Sequence, residues 1–200
     1  MSVQVREDIV FDVPDRPFAI HWPCALSDDE LLELSRLNPE IRLEVSAQGD
    51  LIFMPPAGGE SSRRNADVVS QLFAWAKRDG TGVVYDSSGG FRLPNGALRS
   101  PDASWVSREK LEPLTPEQRE KFLTLCPDFV VELLSPSDSL KVTQQKMQEY
   151  RDNGTQLGWL IDAKEKRIYV YPTFRSLFCK NWEYSFPVPD AQMLSSHGSG

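Results

Sequence analysis

An almost continuous apolar run, DFVVELLS at residues 128–135, constrains the fold of this chain more than any other segment. The run follows Pro127 and is rich in β-branched residues, a pattern typical of a central β-strand that is buried on both faces. A carboxylate, Glu132, lies within the apolar part of the run, and its burial is costly unless the group is paired, hydrogen-bonded or bound to a metal. The sequence therefore predicts a layered fold with a charged group inside it.

Helix and strand patterns alternate along the rest of the chain. Ser27 with Glu30, and Thr115 with Gln118, have the spacing of capping boxes, which predict helix starts. The other predicted elements are a hairpin over 41–54, helices over 61–78 and 138–153, strand-like runs at 81–87, 89–95 and 97–107, and two strands within 158–172. In helix 61–78, the apolar stripe predicted to face the core comprises Ala66, Val69, Phe73 and Ala76, with Leu72 beside it. This order predicts an α/β (α+β) fold, in which a mixed β-sheet is flanked by helices and extended by an N-terminal helix and hairpin.

Length and composition limit the classes of protein to which this chain can belong. The 200 residues predict a single domain over 1–186, with its core at about 25–172, and a flexible tail over 187–200. Three separated cysteines and two histidines argue against a cysteine zinc site and a multi-histidine metal centre. There is no apolar run long enough for a membrane helix and no signal-peptide pattern at the N-terminus, so we expect a cytoplasmic protein without a membrane partner. The formal net charge of -7 argues against electrostatic coating of nucleic acid but leaves room for one basic cleft.

One group of residues has the composition of a hydrolytic site. Asp102 follows Pro101 at the start of a strand-like segment, and Glu132 lies in the buried run. Lys146 lies on the predicted helix after that run, with Tyr150 one turn further along the same face. Two carboxylates can hold Mg²⁺, which activates water and polarises a phosphate, and an ammonium offsets the charge that develops there. These residue types point to phosphodiester hydrolysis.

The same residues carry a resemblance to known nucleases. Asp102 after a proline, Glu132 in an apolar strand and a later lysine resemble the PD-(D/E)XK nuclease superfamily. More closely, the chain is similar to the Uma2 (DUF820) family of restriction-endonuclease-like proteins, of the cyanobacterial type. The matching stretches are RLEVSAQGDLIFMPPAGGESSRRN, GFRLPNGALRSPDASWVS, CPDFVVELLSPSDS, KMQEYRDNG and GWLIDAKEKRIYVY.

The resemblance implies a restriction-endonuclease-like core of the α-β-β-β-α-β type and a Mg²⁺ (or Mn²⁺) ion held by Asp102 and Glu132. The superfamily pattern places a lysine two residues after the glutamate, where this chain has Leu134. In the Uma2 family the lysine lies on the following helix, which implies Lys146 as the catalytic lysine, with Lys141 as a competitor and Tyr150 as a supporting residue.

Other charged residues have both a functional and a structural explanation. Glu44 lies in the alternating run IRLEV and is either a cross-strand surface position or, as the resemblance implies, an additional acid of the site. Glu60 either interacts with the start of helix 61–78 or, again by the resemblance, adds an acid from that helix. If the ligand is nucleic acid, the expected phosphate contacts are arginines that could equally be solvated surface residues: Arg63, Arg64, Arg92 and Arg99.

Three functions remain open from the sequence. The first is a Mg²⁺-dependent DNA endonuclease, for which the resemblance implies a homodimer, because cutting both strands normally needs two active sites. The second is a non-catalytic nucleic-acid-binding or regulatory module on a nuclease fold. The third is a hydrolase of small phosphodiesters, since the chain lacks a continuous basic stripe. Motifs for dinucleotides, P-loop phosphates and α/β-hydrolase nucleophiles are absent from the sequence.

Overall fold

A computed structural model of the chain describes residues 2–6, 9–12, 14 and 16–173. The predicted tail over 187–200 and the domain end at residue 186 lie outside the described residues. The helices are α1 (Asp28–Leu37), α2 (Gly59–Asp79), α3 (Arg108–Leu111), α4 (Pro116–Arg119) and α5 (Leu140–Asp152). The strands are β1 (Ser2–Arg6), β2 (Ile9–Asp12), β3 (Phe18–Ile20), β4 (Arg42–Val45), β5 (Leu51–Met54), β6 (Gly82–Asp86), β7 (Phe91–Arg92), β8 (Leu98–Arg99), β9 (Ala103–Ser107), β10 (Phe129–Leu133), β11 (Leu157–Asp162) and β12 (Arg167–Pro172).

The core sheet is mixed, as the sequence predicts. Its strand order is β12-β11-β10-β9-β6, with β10 and β11 parallel and the other neighbours antiparallel. The apolar run supplies β10, the middle strand, and four of its five residues are buried. Helix α2 packs on one face of this sheet, and α5 packs on the other. Coverage of both faces explains why β10 is apolar at nearly every position.

The predicted hairpin belongs to a second sheet. Strands β4 and β5 pair as the alternating pattern predicts and turn at Gly49, whose φ of +90° favours glycine. They lie in the middle of an antiparallel sheet of order β3-β5-β4-β8-β7. The side chains of Leu43 and Val45 enter an apolar cluster with α1, whose capping box at Ser27 forms as predicted. The hairpin is therefore an integral layer of the protein.

The strand predicted over 97–107 divides into two strands. Residues Leu98–Arg99 pair in the second sheet as β8, and Ala103–Ser107 pair in the core sheet as β9. The break falls at residues 100–102, where Pro101 has no N–H to donate to a continued ladder. This short connection joins the two sheets.

The buried face of α2 differs from the predicted stripe. Val68, Leu72 and Ala76 are buried against the core sheet, whereas Phe73 is 51% exposed, so the placement of Phe73 in the core is wrong. Residues spaced by four share one side of a helix, and Trp105 and Phe129 of the sheet pack against that side. The ring of Phe73 instead lies 5.0 Å from the Lys77 ammonium on the helix surface. None of the described helices combines the length and apolarity needed to cross a membrane.

Candidate active site

Asp102 lies where the chain passes from the second sheet into the core sheet. Val131 of β10 pairs with Ala103 of β9, and one further step of this antiparallel register brings Asp102 alongside Glu132. The side chain of Asp102 is only 8% exposed, and its Oδ2 accepts a hydrogen bond of 2.8 Å from the Leu133 amide. The strand pairing thus holds two carboxylates side by side in the interior.

Glu132 points to the α5 face of the core sheet. Its neighbour two residues back, Val130, packs with Met147 of α5, and alternate strand residues share a face. The Oε1 atom of Glu132 lies 2.7 Å from the Lys146 ammonium and accepts a hydrogen bond of 3.1 Å from the Tyr150 hydroxyl. Glu132 therefore has the partners that its burial requires.

Helix α5 supplies both of those partners because Lys146 and Tyr150 lie one turn apart on its buried face. The Tyr150 side chain is fully buried, and the side chain of Lys146 is 14% exposed. Lys141 lies on the exposed part of the same helix. The structure thus brings Lys146, and not Lys141, to the carboxylates.

Glu44 reaches the same lysine from the second sheet. Its Oε1 lies 2.8 Å from Lys146 Nζ and accepts a hydrogen bond from the Ser100 amide. Its Oε2 accepts from Arg99, whose Nε also donates to Glu149 at 2.6 Å. Glu44 is only 2% exposed, so it is an interior acid and not a surface residue of the hairpin. Lys146 is consequently held between carboxylates from two different sheets.

Arg42, two residues before Glu44, occupies the other end of the group. Its Nη1 donates to Asp102 Oδ1 at 3.0 Å. The amide of Asn65, on α2, lies 3.4 Å from the same oxygen. Within the described part of the chain, the three polar contacts of the Asp102 side chain therefore come from different elements, namely β4, α2 and β10.

The charges in this cluster do not balance when every group is ionised. Four carboxylates face three cations, and the members are Asp102, Glu132, Glu44, Glu149, Arg42, Arg99 and Lys146. Burial raises the pKa of Glu132, and although Lys146 opposes this, nearby Asp102 and Glu44 bring that pKa to about 7. The excess negative charge is thus concentrated at Glu132.

Three other groups, Glu44, Lys146 and Tyr150, keep their ordinary charge states. Burial alone would raise the pKa of Glu44, but Lys146 and Arg99 outweigh it and lower that pKa. Burial would likewise lower the pKa of Lys146, and the two glutamates outweigh it and raise that pKa. Burial and both glutamates raise the pKa of the Tyr150 hydroxyl well above its usual value. Lys146 therefore stays an ammonium, and Tyr150 stays a neutral hydrogen-bond donor.

Of the remaining expected site residues, Arg99 belongs to this cluster, and the others pair elsewhere. Glu60 is in the first turn of α2, where it pairs with Arg63 and Arg64. Arg63 also pairs with Asp67, and Arg92 contacts Asp28 and the Gly96 carbonyl. Arg99 is committed to Glu44 and Glu149 within the cluster. Each of these arginines therefore already has a carboxylate partner.

Sequence reasoning did not identify Arg42 or Glu149 as members of the cluster. One signal for Arg42 was present in the hairpin. In RLEV, Arg42 and Glu44 share one face of the strand, while Leu43 and Val45 occupy the apolar face. Two charges on the same face of a strand that lies in the middle of a sheet indicate charged partners nearby. Glu149 gives no comparable signal, since it resembles any helix-surface glutamate.

The donor atoms suit a hard divalent cation. Among the described residues, no group of three or more His, Cys, Asp or Glu side chains is arranged to hold a metal. Mg²⁺, however, is usually bound through one or two carboxylates plus water and substrate phosphate. Asp102 and Glu132 supply two carboxylates, and the raised pKa of Glu132 marks a position where a cation relieves excess negative charge. The residues present therefore fit Mg²⁺ or Mn²⁺.

Comparison with known proteins gives the fold and the family of this chain. A crystal structure described as "a putative nuclease belonging to DUF820" from Anabaena variabilis ATCC 29413 matches 74% of this chain and 80% of its own. The TM-score is 0.60 and the sequence identity 23%, so this similarity establishes a shared fold. No curated protein matches the chain. The model of the Uma2 family, described as "Putative restriction endonuclease", matches residues 28–192. Because this match spans most of the sequence, the chain belongs to the Uma2 family.

Proposed function

We propose that this protein is a Mg²⁺-dependent endonuclease that hydrolyses phosphodiester bonds of DNA. The observation that carries the proposal is the placement of Lys146, whose ammonium lies 2.7 Å from Glu132 and 2.8 Å from Glu44. Asp102 lies alongside Glu132, so two carboxylates and an ammonium share one small volume. This combination suits phosphoryl chemistry, in which positioning and electrostatic stabilisation do most of the work.

In this proposal, Asp102 and Glu132 hold the metal ion. A bound Mg²⁺ supplies Lewis acidity, which polarises a phosphoryl oxygen and lowers the pKa of a coordinated water. Asp102 is prepared for this role because the Leu133 amide fixes its orientation. Glu132 is fixed by the Tyr150 hydroxyl, which remains protonated and donates to Oε1.

Lys146 has the role of an electrostatic stabiliser. An ammonium has three N–H donors, and among the described residues its ion-pair partners are two carboxylates. The third N–H is available to a water or a phosphate oxygen. The raised pKa of Lys146 keeps it protonated, so it stabilises negative charge and does not act as a general base. Glu44 and Arg99 hold this lysine in place from the second sheet.

The direct test is cleavage of DNA by the purified protein. Plasmid, branched and single-stranded substrates are incubated with Mg²⁺ or Mn²⁺, and with EDTA as the metal-free reference. We expect metal-dependent nicking or cleavage that is lost in Asp102→Asn and Glu132→Gln. Glu33→Gln is the matched control, because Glu33 is an exposed glutamate of α1 that pairs with Arg36. If the wild type leaves all three substrates intact with both metals, the proposed function is wrong.

A second candidate, hydrolysis of small phosphodiesters, is favoured by the distribution of positive charge. The arginines that we expected to contact DNA phosphates form ion pairs with carboxylates of the same chain, as Arg63 does with Glu60 and Asp67. A small chromogenic phosphodiester distinguishes the two candidates. Turnover of that compound without cleavage of any DNA substrate would favour this alternative.

We propose that the endonuclease acts as a homodimer, because one active site cuts one strand at a time. Sedimentation of the protein with and without a DNA duplex tests this part separately. A monomer that cuts both strands of one duplex would contradict it.

A further inference from the structure

Strand β4 presents two opposite charges to the site from one face. Arg42 and Glu44 are two residues apart and therefore point the same way, while Leu43 and Val45 pack into the apolar cluster behind them. Arg42 contacts the Asp102 carboxylate, and Glu44 contacts the Lys146 ammonium. The strand thus binds Asp102 and Lys146 through two ion pairs of opposite polarity.

The guanidinium of Arg42 has more unused hydrogen-bond donors than the other cations of the cluster. Arginine has five N–H donors, and among the described residues Asp102 is the only hydrogen-bond partner of the Arg42 guanidinium. Its side chain is 35% exposed, compared with 10% for Arg99 and 14% for Lys146. Arg42 is therefore the cation of the cluster that combines contact with a site carboxylate and access to solvent.

The charges around Arg42 favour an anion arriving together with a divalent ion. The pKa of Arg42 is affected most by burial, which lowers it, and then by Asp102, Glu132 and Glu44, which together raise it. A divalent ion on these carboxylates would weaken their hold on the guanidinium through its own positive charge. A guanidinium released in this way matches the geometry of phosphate oxygens, which it binds through two parallel N–H donors.

We propose that Arg42 binds the substrate phosphate at this site, and that its contact with Asp102 is the position it occupies before substrate arrives. The inference rests on the proposed nuclease function and adds a specific substrate-binding residue to it. Arg42 acts by electrostatic attraction and bidentate hydrogen bonding, and it exchanges no proton with the substrate. When substrate is bound, Arg42 contacts a phosphodiester group of the substrate, and Asp102 is free to bind the metal ion.

Two binding measurements test the proposal without relying on turnover. Wild type, Arg42→Gln and Arg42→Lys are compared with Arg36→Gln, the matched control for an exposed arginine that pairs with Glu33 on α1. Calorimetry measures the affinity for Mn²⁺ alone. Fluorescence anisotropy measures binding of a short DNA duplex in Ca²⁺ across a salt series, and a gel verifies that the duplex stays intact.

We expect Arg42→Gln to weaken DNA binding about tenfold and to reduce the salt slope by about one, as the loss of one phosphate contact does. Its Mn²⁺ affinity should rise, because the carboxylates lose a competing positive charge. Arg42→Lys keeps the charge and loses the planar fork, so it should fall between wild type and Arg42→Gln in DNA binding. Arg36→Gln should match the wild type in both measurements.

Two results would overturn the inference. One is unchanged DNA affinity in Arg42→Gln. The other is a parallel loss of Mn²⁺ affinity, which would mean that Arg42 only maintains the shape of the site. If the nuclease function is wrong but the role of Arg42 is right, the wild type binds DNA through Arg42 and leaves it uncut. A wild type that cuts DNA while Arg42→Gln binds it normally would overturn this inference alone.

Discussion

The Glu44 carboxylate, on the second sheet, lies 2.8 Å from the Lys146 ammonium, on a helix of the core sheet. Glu44 is buried and the Lys146 side chain is 14% exposed, and Lys146 also pairs with Glu132 at 2.7 Å. Removing one member of a buried ion pair leaves its partner uncompensated, which is far more costly than removing both. The lysine is therefore a structural requirement of the cluster as well as a candidate catalytic group.

Replacing Lys146 with methionine should lower both stability and activity. We expect Lys146→Met to lose about 3–5 kcal/mol of unfolding free energy, because Glu44 and Glu132 then face each other without their shared cation. DNA cleavage should be abolished. Urea denaturation of the metal-free protein measures the first effect, and Lys141→Met is the matched control on the exposed side of α5.

A double variant separates electrostatic damage from a general failure to fold. In Lys146→Met with Glu132→Gln, the cation and one of its acids are both removed, and Glu44 keeps Arg99. Much of the lost stability should return. Stability losses that simply add would contradict the ion-pair explanation.

The stability of the metal-free protein should depend on the protonation of Glu132. The pKa of this carboxyl is about 7 in the folded protein and 4.5 for an unperturbed glutamate, so the folded state binds the proton more tightly. The contribution of this group to stability is present below about pH 4.5 and is lost as the pH rises to about 7. Glu132→Gln, which stays neutral, should therefore gain thermal stability relative to wild type as the pH rises from acidic to mildly basic.

The measurement is the thermal midpoint of both proteins in EDTA across this pH range. Glu33→Gln, on the surface of α1, should show no such growing advantage over wild type. A difference between Glu132→Gln and wild type that stays constant with pH would refute the assignment of a raised pKa to Glu132.

The Tyr150 hydroxyl should contribute to the orientation of Glu132. Tyr150→Phe keeps the buried ring and removes the donor that lies 3.1 Å from Oε1. We expect a loss of about 1–2 kcal/mol in unfolding free energy, typical of a buried acceptor that loses one partner. Tyr85→Phe is the control, since the Tyr85 ring packs edge-on against Phe91 in the same apolar cluster. Equal losses in the two variants would indicate a packing effect alone.

Binding of Mn²⁺ should stabilise the folded protein. A ligand that binds only the folded state at a hundred times its Kd adds about 2.7 kcal/mol. The thermal midpoint of the wild type should thus rise with Mn²⁺ concentration, and the rise should vanish in Asp102→Asn. Asp152→Asn, at the exposed end of α5, should respond like the wild type. An increase that survives Asp102→Asn would place the bound ion elsewhere on the protein.

The sequence contained enough information to predict the core sheet, one buried carboxylate in it, and two polar residues on the helix that packs against it. The apolar run indicated a central strand. Because an unpaired carboxylate is costly to bury, Glu132 within that run indicated a charged or hydrogen-bonding partner. Helical periodicity placed Lys146 and Tyr150 on one face. These signals are local, so they can be read from short stretches of chain.

The second sheet could not be predicted in this way. Its pairing of β4 with β8 joins Val45 to Leu98, residues far apart in the chain whose contact no local pattern encodes. For the same reason Arg99 resembles a surface arginine in sequence, although in the fold it lies between Glu44 and Glu149. The displaced stripe of α2 has a similar cause, because the sheet residues Trp105 and Phe129 determine which side of the helix is buried.

The alternation in β4 also affects how the protein can misfold. Leu43 and Val45 face the apolar cluster, and Arg42 and Glu44 face the charged one. A slip of one residue in the pairing of β4 with β5 would exchange these faces, burying two charges among aliphatic side chains. Such a slip would cost free energy in both clusters at once, so slipped registers are strongly disfavoured. The charged residues of this strand therefore select the correct register when the hairpin forms. A chain that pairs these strands correctly has also brought the charged residues of its site together.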